Sequence, residues 1–350
     1  MKTPKTKTAV PKKGQTAEPP PRARGDRGDL WNTAMETAAK GLGVKPSDIS
    51  GLASLKMGMT NRSFLFSARG KRYILRLPGE GTQQLIDRQT EAEAYRAIQG
   101  HPISDNLVWI DAESGVKISE FEETARPCNP HNRAEVARCM AFLRGFHDLG
   151  LRVSREFDLF GKIDFYESLR GRRPSRFPDY RQTKASIFSL RPFLEAHRRP
   201  PILAHLDSIP DNFLFVRRGE EERILLIDWE YAAMQDPDVD VAMFAIYALY
   251  DRAQIDALID AYYPEGHTAA IHAKILAYVA VGGLLWSNWC EFKSLHGMEF
   301  GEYALRQYQY AREYAAEARA FFRGRKAFFP TDSSRTSRTT TRCRPQRRSP

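Results

Sequence analysis

The spacing of apolar residues changes once along this chain, near Glu122, and that change limits the architectures open to it. Before it the pattern alternates as strands do: Leu52–Met57, then Ser63–Phe66 and Tyr73–Leu77 about a turn at Arg69-Gly70. Residues 85–99, with Leu85, Tyr95 and Ile98 at helical spacing, predict one inserted helix, and residues 106–111 and 116–121 predict two more strands. After Glu122 the repeats are helical. Asn129-Pro130 reads as a cap with proline at the first helical position, Val136, Met140 and Leu143 mark the buried face, and Gly150 ends the helix. Residues 151–200 mix Arg, Pro and aromatics. Short strands are predicted at 202–204, 213–216 and 224–227, and helices near 239–262, 268–294 and 300–323. The expected class is α+β: a small sheet lobe followed by a larger helical lobe.

The formal charge of +10 suggests a nucleic-acid partner until its distribution is considered. Residues 1–28 carry eight Lys/Arg against Glu18 and Asp26, and residues 331–350 carry six Arg against Asp332, which leaves residues 29–330 near neutrality. The ends are rich in Pro, Ser, Thr and basic residues, a composition that predicts two disordered tails and no nucleic-acid-binding face. Cys128, Cys139, Cys290 and Cys343 form no close pair, as expected of a reducing compartment, and no secretory signal is apparent. The most apolar run, Ile275–Trp286, is too short for a membrane span. Together these features predict a cytoplasmic location.

The stretch with most chemistry is His205-Leu-Asp207-Ser-Ile-Pro-Asp-Asn212, followed by Leu225-Leu-Ile-Asp228-Trp-Glu-Tyr231. Asp and Asn are ordinary turn residues taken singly. The set is less ordinary: an aspartate and an asparagine five apart on a loop, then an aspartate closing the next apolar strand. Phosphoryl transfer needs a carboxylate to orient the attacking hydroxyl and oxygen ligands to hold Mg²⁺ on the phosphates. Asp207 suits the first task, and Asn212 and Asp228 the second.

These segments resemble the catalytic loop and metal-binding motif of the aminoglycoside phosphotransferase and choline kinase superfamily, and the run from Ile227 to Asp240 is most similar to bacterial choline kinases. The resemblance spans about Gly51 to Tyr310 and implies a bilobal protein-kinase-like fold, with an ATP-binding lobe at 29–121 and a catalytic lobe at 122–330. It implies that Gly58, Thr60, Asn61 and Ser63 lie in a phosphate-covering turn, that Arg76 grips phosphate, and that Glu91, or Glu93 one step along, pairs with Arg76. Glu120-Phe121 would offer hinge backbone to adenine. His205 would support the catalytic loop and His147 would pack structurally, while Asp240 either positions that loop or caps the next helix.

For the acceptor, the resemblance points to Trp286 and Trp289 as walls of a quaternary-ammonium pocket, with Glu230, Tyr231 and Tyr303 nearby and Tyr247 and Tyr250 as weaker candidates. Aromatic faces suit a cation that has no N–H to donate. The implied reaction is ATP- and Mg²⁺-dependent phosphorylation of choline. Ethanolamine and thiamine are the nearest rivals, an aminoglycoside is a more distant one, and an inactive pseudokinase scaffold is the rival of another class.

Overall fold

The computed structural model describes residues 26–57, 61–79 and 86–323. Helix α1 (Asp26–Leu42) comes first, then strands β1 (Ser50–Met57), β2 (Asn61–Ala68) and β3 (Lys71–Pro78), helix α2 (Arg88–Ile98), and strands β4 (Leu107–Ile110) and β5 (Lys117–Glu120). The five strands form one antiparallel sheet in the order β1-β2-β3-β5-β4. Its tightest turn lies at Arg69-Gly70, both at positive φ (51° and 73°), the backbone that matches the twist of a two-residue hairpin. Phe64, Phe66, Tyr73, Leu75 and Ile118 bury one face of the sheet against Ala34, Ala38 and Ala39 of α1. Helix α1 was not foreseen, and its start lies inside the segment expected to be tail. The rest of that tail, the C-terminal one, Cys343, Gly58, Thr60 and Leu85 lie outside the described residues.

The inserted helix begins at Arg88 because Asp87 caps it, accepting from the amides of Gln89 and Thr90. Its Tyr95 and Ile98 are buried as expected, but they join the core of the helical lobe and so tie α2 to it.

Beyond Glu122 come β6 (Arg126–Pro127), α3 (Arg133–Asp148), α4 (Leu159–Ser168), α5 (Tyr180–Phe188), α6 (Arg191–His197) and β7 (Ile202–Ala204). Strands β8 (Phe213–Arg218), β9 (Glu221–Leu226) and β10 (Ala233–Gln235) follow, then helices α7 (Asp238–Tyr247), α8 (Arg252–Tyr262), α9 (Ala269–Ser294) and α10 (Glu302–Arg323). The cap of α3 is Asn132, whose side chain accepts from Ala134 and Glu135; Asn129 instead makes a turn by accepting from the amide of His131. The composition of 151–200 hid three short helices. Helix α9 is longer than its most apolar run suggested, long and apolar enough by length and composition alone to cross a membrane. Its residues are buried at the centre of the helical lobe, which accounts for their apolarity. At Gly283 a Cβ would sit 2.6 Å from the carbonyl of Gln307, so the close crossing of α9 and α10 requires glycine there.

The single helix expected over 239–262 is two, broken at Leu249. That residue has φ 56°, and the amide of Tyr250 reaches back to the carbonyl of Ala245. This helix end usually carries glycine. The leucine side chain is 43% exposed, so burial offsets little of its strain. Leu249→Gly should therefore raise stability by about 1 kcal/mol, read as an upward shift of the urea midpoint; an unchanged midpoint would mean that the leucine makes compensating contacts.

Candidate active site

A cleft of about 750 Å³ opens between the two lobes. Arg76, Asn61 and Ser63 line it from the sheet; Asp207, Asn212 and Asp228 line it from the helical lobe. The sequence segments singled out for their spacing thus meet on one cavity.

Asp207 stands on a loop held from beneath. Asp240, fully buried at the start of α7, accepts from the amides of His205 (2.8 Å) and Leu206 (2.6 Å). His147 Nε2 lies 2.9 Å from the same carboxylate, and His147 Nδ1 lies 2.7 Å from the Tyr262 hydroxyl. Burial alone would raise the Asp240 pKa, but the hydrogen bond and charge of His147 and the nearby His205 outweigh it and hold the carboxyl below its ordinary range. Asp240 therefore grips the loop as a carboxylate acceptor. Hydrogen bonds to a charged group contribute about 1.5–3 kcal/mol each, enough to hold Leu206 at φ 64°. His205 Nε2 adds a contact to the carbonyl of Ile227, joining this loop to the next. His147, expected to be packing alone, is a strut of the same assembly.

Asn212 donates its side-chain amide to the carbonyl (2.8 Å) and carboxylate (3.0 Å) of Asp207. Burial, and after it the negative charges of Asp228 and Glu230, push the Asp207 pKa well above the ordinary carboxylate range. Asp228 follows β9 in the left-handed region (φ 69°, ψ 65°), and its half-buried carboxylate accepts from Arg76 at 3.1 Å. With its amide N–H₂ spent on Asp207, Asn212 has only its carbonyl oxygen to offer, and Asp228 offers carboxylate oxygens. That donor set fits a hard cation shared with phosphates. Among the described residues no group of three or more His, Cys, Asp or Glu is arranged to hold a metal by itself.

The choice between Glu91 and Glu93 is resolved by register. Glu91 Oε1 lies 2.5 Å from Arg76 Nη2, whereas Glu93 accepts from the amide and hydroxyl of Ser154. Burial disfavours the charge of Arg76, and Glu91, Glu230 and Asp228 outweigh it, so the guanidinium is held charged more firmly than usual. Glu230 was assigned to the acceptor. It lines the cleft, yet its carboxylate accepts from Asn61 (2.7 Å) and faces Arg88 (3.4 Å) and Arg76 (3.6 Å). Burial, then the charge of Asp228, push its pKa up to about 7.

The hinge expectation needs amendment. The amides of Glu120 and Phe121 already bond the carbonyls of Asn106 and Arg72, Glu120 pairs with Lys71, and neither residue is among those lining the cleft. Ile74 and Ile227 give the cleft apolar walls from opposite lobes, and Asp105, Lys117 and Ser119 line it from the sheet side. None of these five was singled out in the sequence, where Ile74 and Ile227 read only as strand residues.

Aromatic rings line the far end. Tyr231 meets Trp286 edge to face (5.7 Å), Trp286 meets Trp289 (5.6 Å), and Trp289 meets Phe300 (5.4 Å). Tyr303 packs on Tyr247, whose hydroxyl donates to Asp211. Tyr250 is turned away, donating to the carbonyl of Pro130. One cation already sits here: Lys293 Nζ lies 5.7 Å from the Trp289 ring centre.

Comparison with known proteins agrees with this geometry. The family model described as choline/ethanolamine kinase matches residues 52–260. The chain belongs to the choline/ethanolamine kinase family. It is 27% identical over 268 residues to Protein LicA of Haemophilus influenzae, covering 71% of this chain and 76% of the relative. The crystal structure of choline kinase LicA from Streptococcus pneumoniae superposes with a TM-score of 0.71 at 26% identity, covering 83% of this chain and 99% of that one. A LicA structure in complex with AMP superposes with a TM-score of 0.66 at 27% identity, over 77% and 92% of the two chains. As a member of the choline/ethanolamine kinase family the chain is a small-molecule kinase that binds a nucleotide and a small acceptor, and its α+β architecture is the LicA kinase fold.

Proposed function

We propose that this kinase transfers the γ-phosphate of ATP to the hydroxyl of choline, giving phosphocholine and ADP. The observation that carries the reading is the aromatic wall Tyr231–Trp286–Trp289–Phe300 in the same cleft as Asp207. A trimethylammonium group has no N–H to satisfy and is attracted to aromatic faces. A primary ammonium needs acceptors, and the nearby carboxylate of Glu230 is already taken by Asn61, Arg88 and Arg76. That arrangement favours choline over ethanolamine. LicA of Streptococcus pneumoniae, described as a choline kinase, supports the same acceptor.

In this reading Asp207 orients the choline hydroxyl and receives its proton, a task its raised pKa suits. Arg76, held by Glu91, steadies the phosphates. Asn212 and Asp228 would hold Mg²⁺, which supplies charge neutralisation on the phosphate oxygens when bound. We place the enzyme in the cytoplasm, a choice supported by the free, buried thiols of Cys128, Cys139 and Cys290.

Leucine at Trp286 or Trp289 keeps bulk and removes the π face. A desolvated cation–π contact is worth roughly 2 kcal/mol, about thirtyfold in affinity. Trp286→Leu should raise the choline KM by about that factor and leave the ATP KM unchanged. Trp289→Leu should do less, because Lys293 already occupies that ring. The choline-to-ethanolamine ratio of kcat/KM should fall in both. An unchanged ratio in well-folded variants would remove the aromatic wall from acceptor selection.

A further inference from the structure

Arg88, in the first turn of α2, does more than occupy Glu230: it is built into the centre of the site. It is 7% exposed. Its Nη1 lies 3.2 Å from Glu91 Oε2 and 3.4 Å from Glu230 Oε2. Glu91 is thus shared, one oxygen on Arg88 and the other on Arg76. Glu230 is shared as well, between Asn61 and Arg88, with Arg76 at 3.6 Å. Two guanidinium groups face three carboxylates, those of Glu91, Asp228 and Glu230.

A second observation shows that the seat of Arg88 is specific. A Cβ at Gly115 would lie 2.2 Å from Arg88 Cδ and 2.5 Å from its Nε. The carbonyl of Gly115 meanwhile accepts from Arg76 Nη2 at 3.2 Å. One glycine therefore makes room for the first arginine and caps the second.

We propose that Arg88 is a positioning residue that keeps Arg76 available to phosphate and links the nucleotide site to the acceptor cleft. Without it, Glu230 and the second oxygen of Glu91 lose their guanidinium partner, and Arg76, 3.6 Å from Glu230 and already on Glu91, is the nearest group left to take its place. With it, Glu91 is fixed from both sides. Glu230, next to Tyr231 of the acceptor wall, is anchored to Asn61 on β2 and Arg88 on α2. Binding at either end bears on the same carboxylate, so ATP and acceptor should each strengthen the binding of the other.

Initial rates over a grid of ATP and amino-alcohol concentrations test this, using whichever acceptor a panel shows to be turned over best, with melting temperatures measured in parallel. In the wild type each substrate should lower the KM of the other by about fivefold or more, within the usual range of coupled sites. In Arg88→Gln that mutual effect should vanish and the ATP KM should rise by about tenfold. Arg88→Lys keeps one nitrogen that can sit between the two carboxylates, as Nη1 does, but on a stem one bond shorter and without the planar guanidinium, and should recover only part of the coupling. Gly115→Ala keeps every charge but crowds Arg88 out of its seat; because Gly115 has φ 75° and its carbonyl also holds Arg76, loss of coupling there supports the proposal only alongside the Arg88→Gln result. Independent KM values in the wild type would overturn the proposal. So would an Arg88→Gln variant with lowered melting temperature and unchanged coupling. If Arg88→Gln does not fold, wild-type coupling in Gly115→Ala would overturn it. Because the grid is run with the best acceptor, a preference for an alcohol other than choline refutes the choline reading without touching this one.

Discussion

Asp207→Asn should lower turnover by at least about 100-fold and leave the ATP KM almost unchanged, since a positioned base contributes about 10²–10⁴-fold. The substitution keeps size and hydrogen-bonding shape and removes the negative charge that takes up the hydroxyl proton. The loop itself should stay in place, because its grip comes from Asp240, through the amides of His205 and Leu206, and from Asn212. Burial, and after it the charges of Asp228 and Glu230, raise the pKa of this carboxyl, so removing its charge relieves both costs and should not destabilise the fold. Near-normal kcat in a variant with wild-type circular dichroism would take Asp207 out of the chemistry.

The second large effect is expected at Asp228. Asp228→Ala removes both a partner of Arg76 and the carboxylate we assign to Mg²⁺. A metal's charge stabilisation is worth several kcal/mol, so at a fixed millimolar Mg²⁺ level turnover should fall by about 100-fold or more. Asn212→Ala should shift the Mg²⁺ curve to higher concentration with a smaller loss, because Asn212 offers a neutral oxygen. Its loss also frees Asp207, to which its amide is bonded. Wild-type Mg²⁺ curves for both variants would mean that the metal is held elsewhere.

What the sequence made legible follows the range of the forces involved. The hairpin at Arg69-Gly70 and the strands around Asp207 and Asp228 were readable because alternation and turn chemistry are local. Helix α1 was missed although Leu30, Trp31, Ala34, Ala38 and Leu42 recur at helical spacing, because its first residues lie in the basic, proline-rich stretch that reads as tail. Helices α4 to α6 were masked by prolines and arginines at their ends. The break at Leu249 was missed because a leucine stands where glycine usually gives the signal.

The site shows the same division. Asp207, Asn212 and Asp228 lie within 22 residues of one another, so their spacing carried information. The partnership of Arg76 with Glu91 needed a helix register that one sequence does not fix. The capture of Glu230 by Asn61 and Arg88 joins residues more than 140 positions apart, and no local pattern marks it. Arg88 was invisible for that reason: in the sequence it is one more polar residue at the start of a helix.

The central claim is phosphoryl transfer from ATP to choline, and its most direct test is ADP release by the full chain with Mg²⁺ and a panel of acceptors, with the product identified by mass. Choline should give the highest kcat/KM, ahead of ethanolamine, thiamine and an aminoglycoside, and the product should be phosphocholine. ADP release that does not depend on choline, or a higher kcat/KM for another acceptor in the panel, would contradict the account.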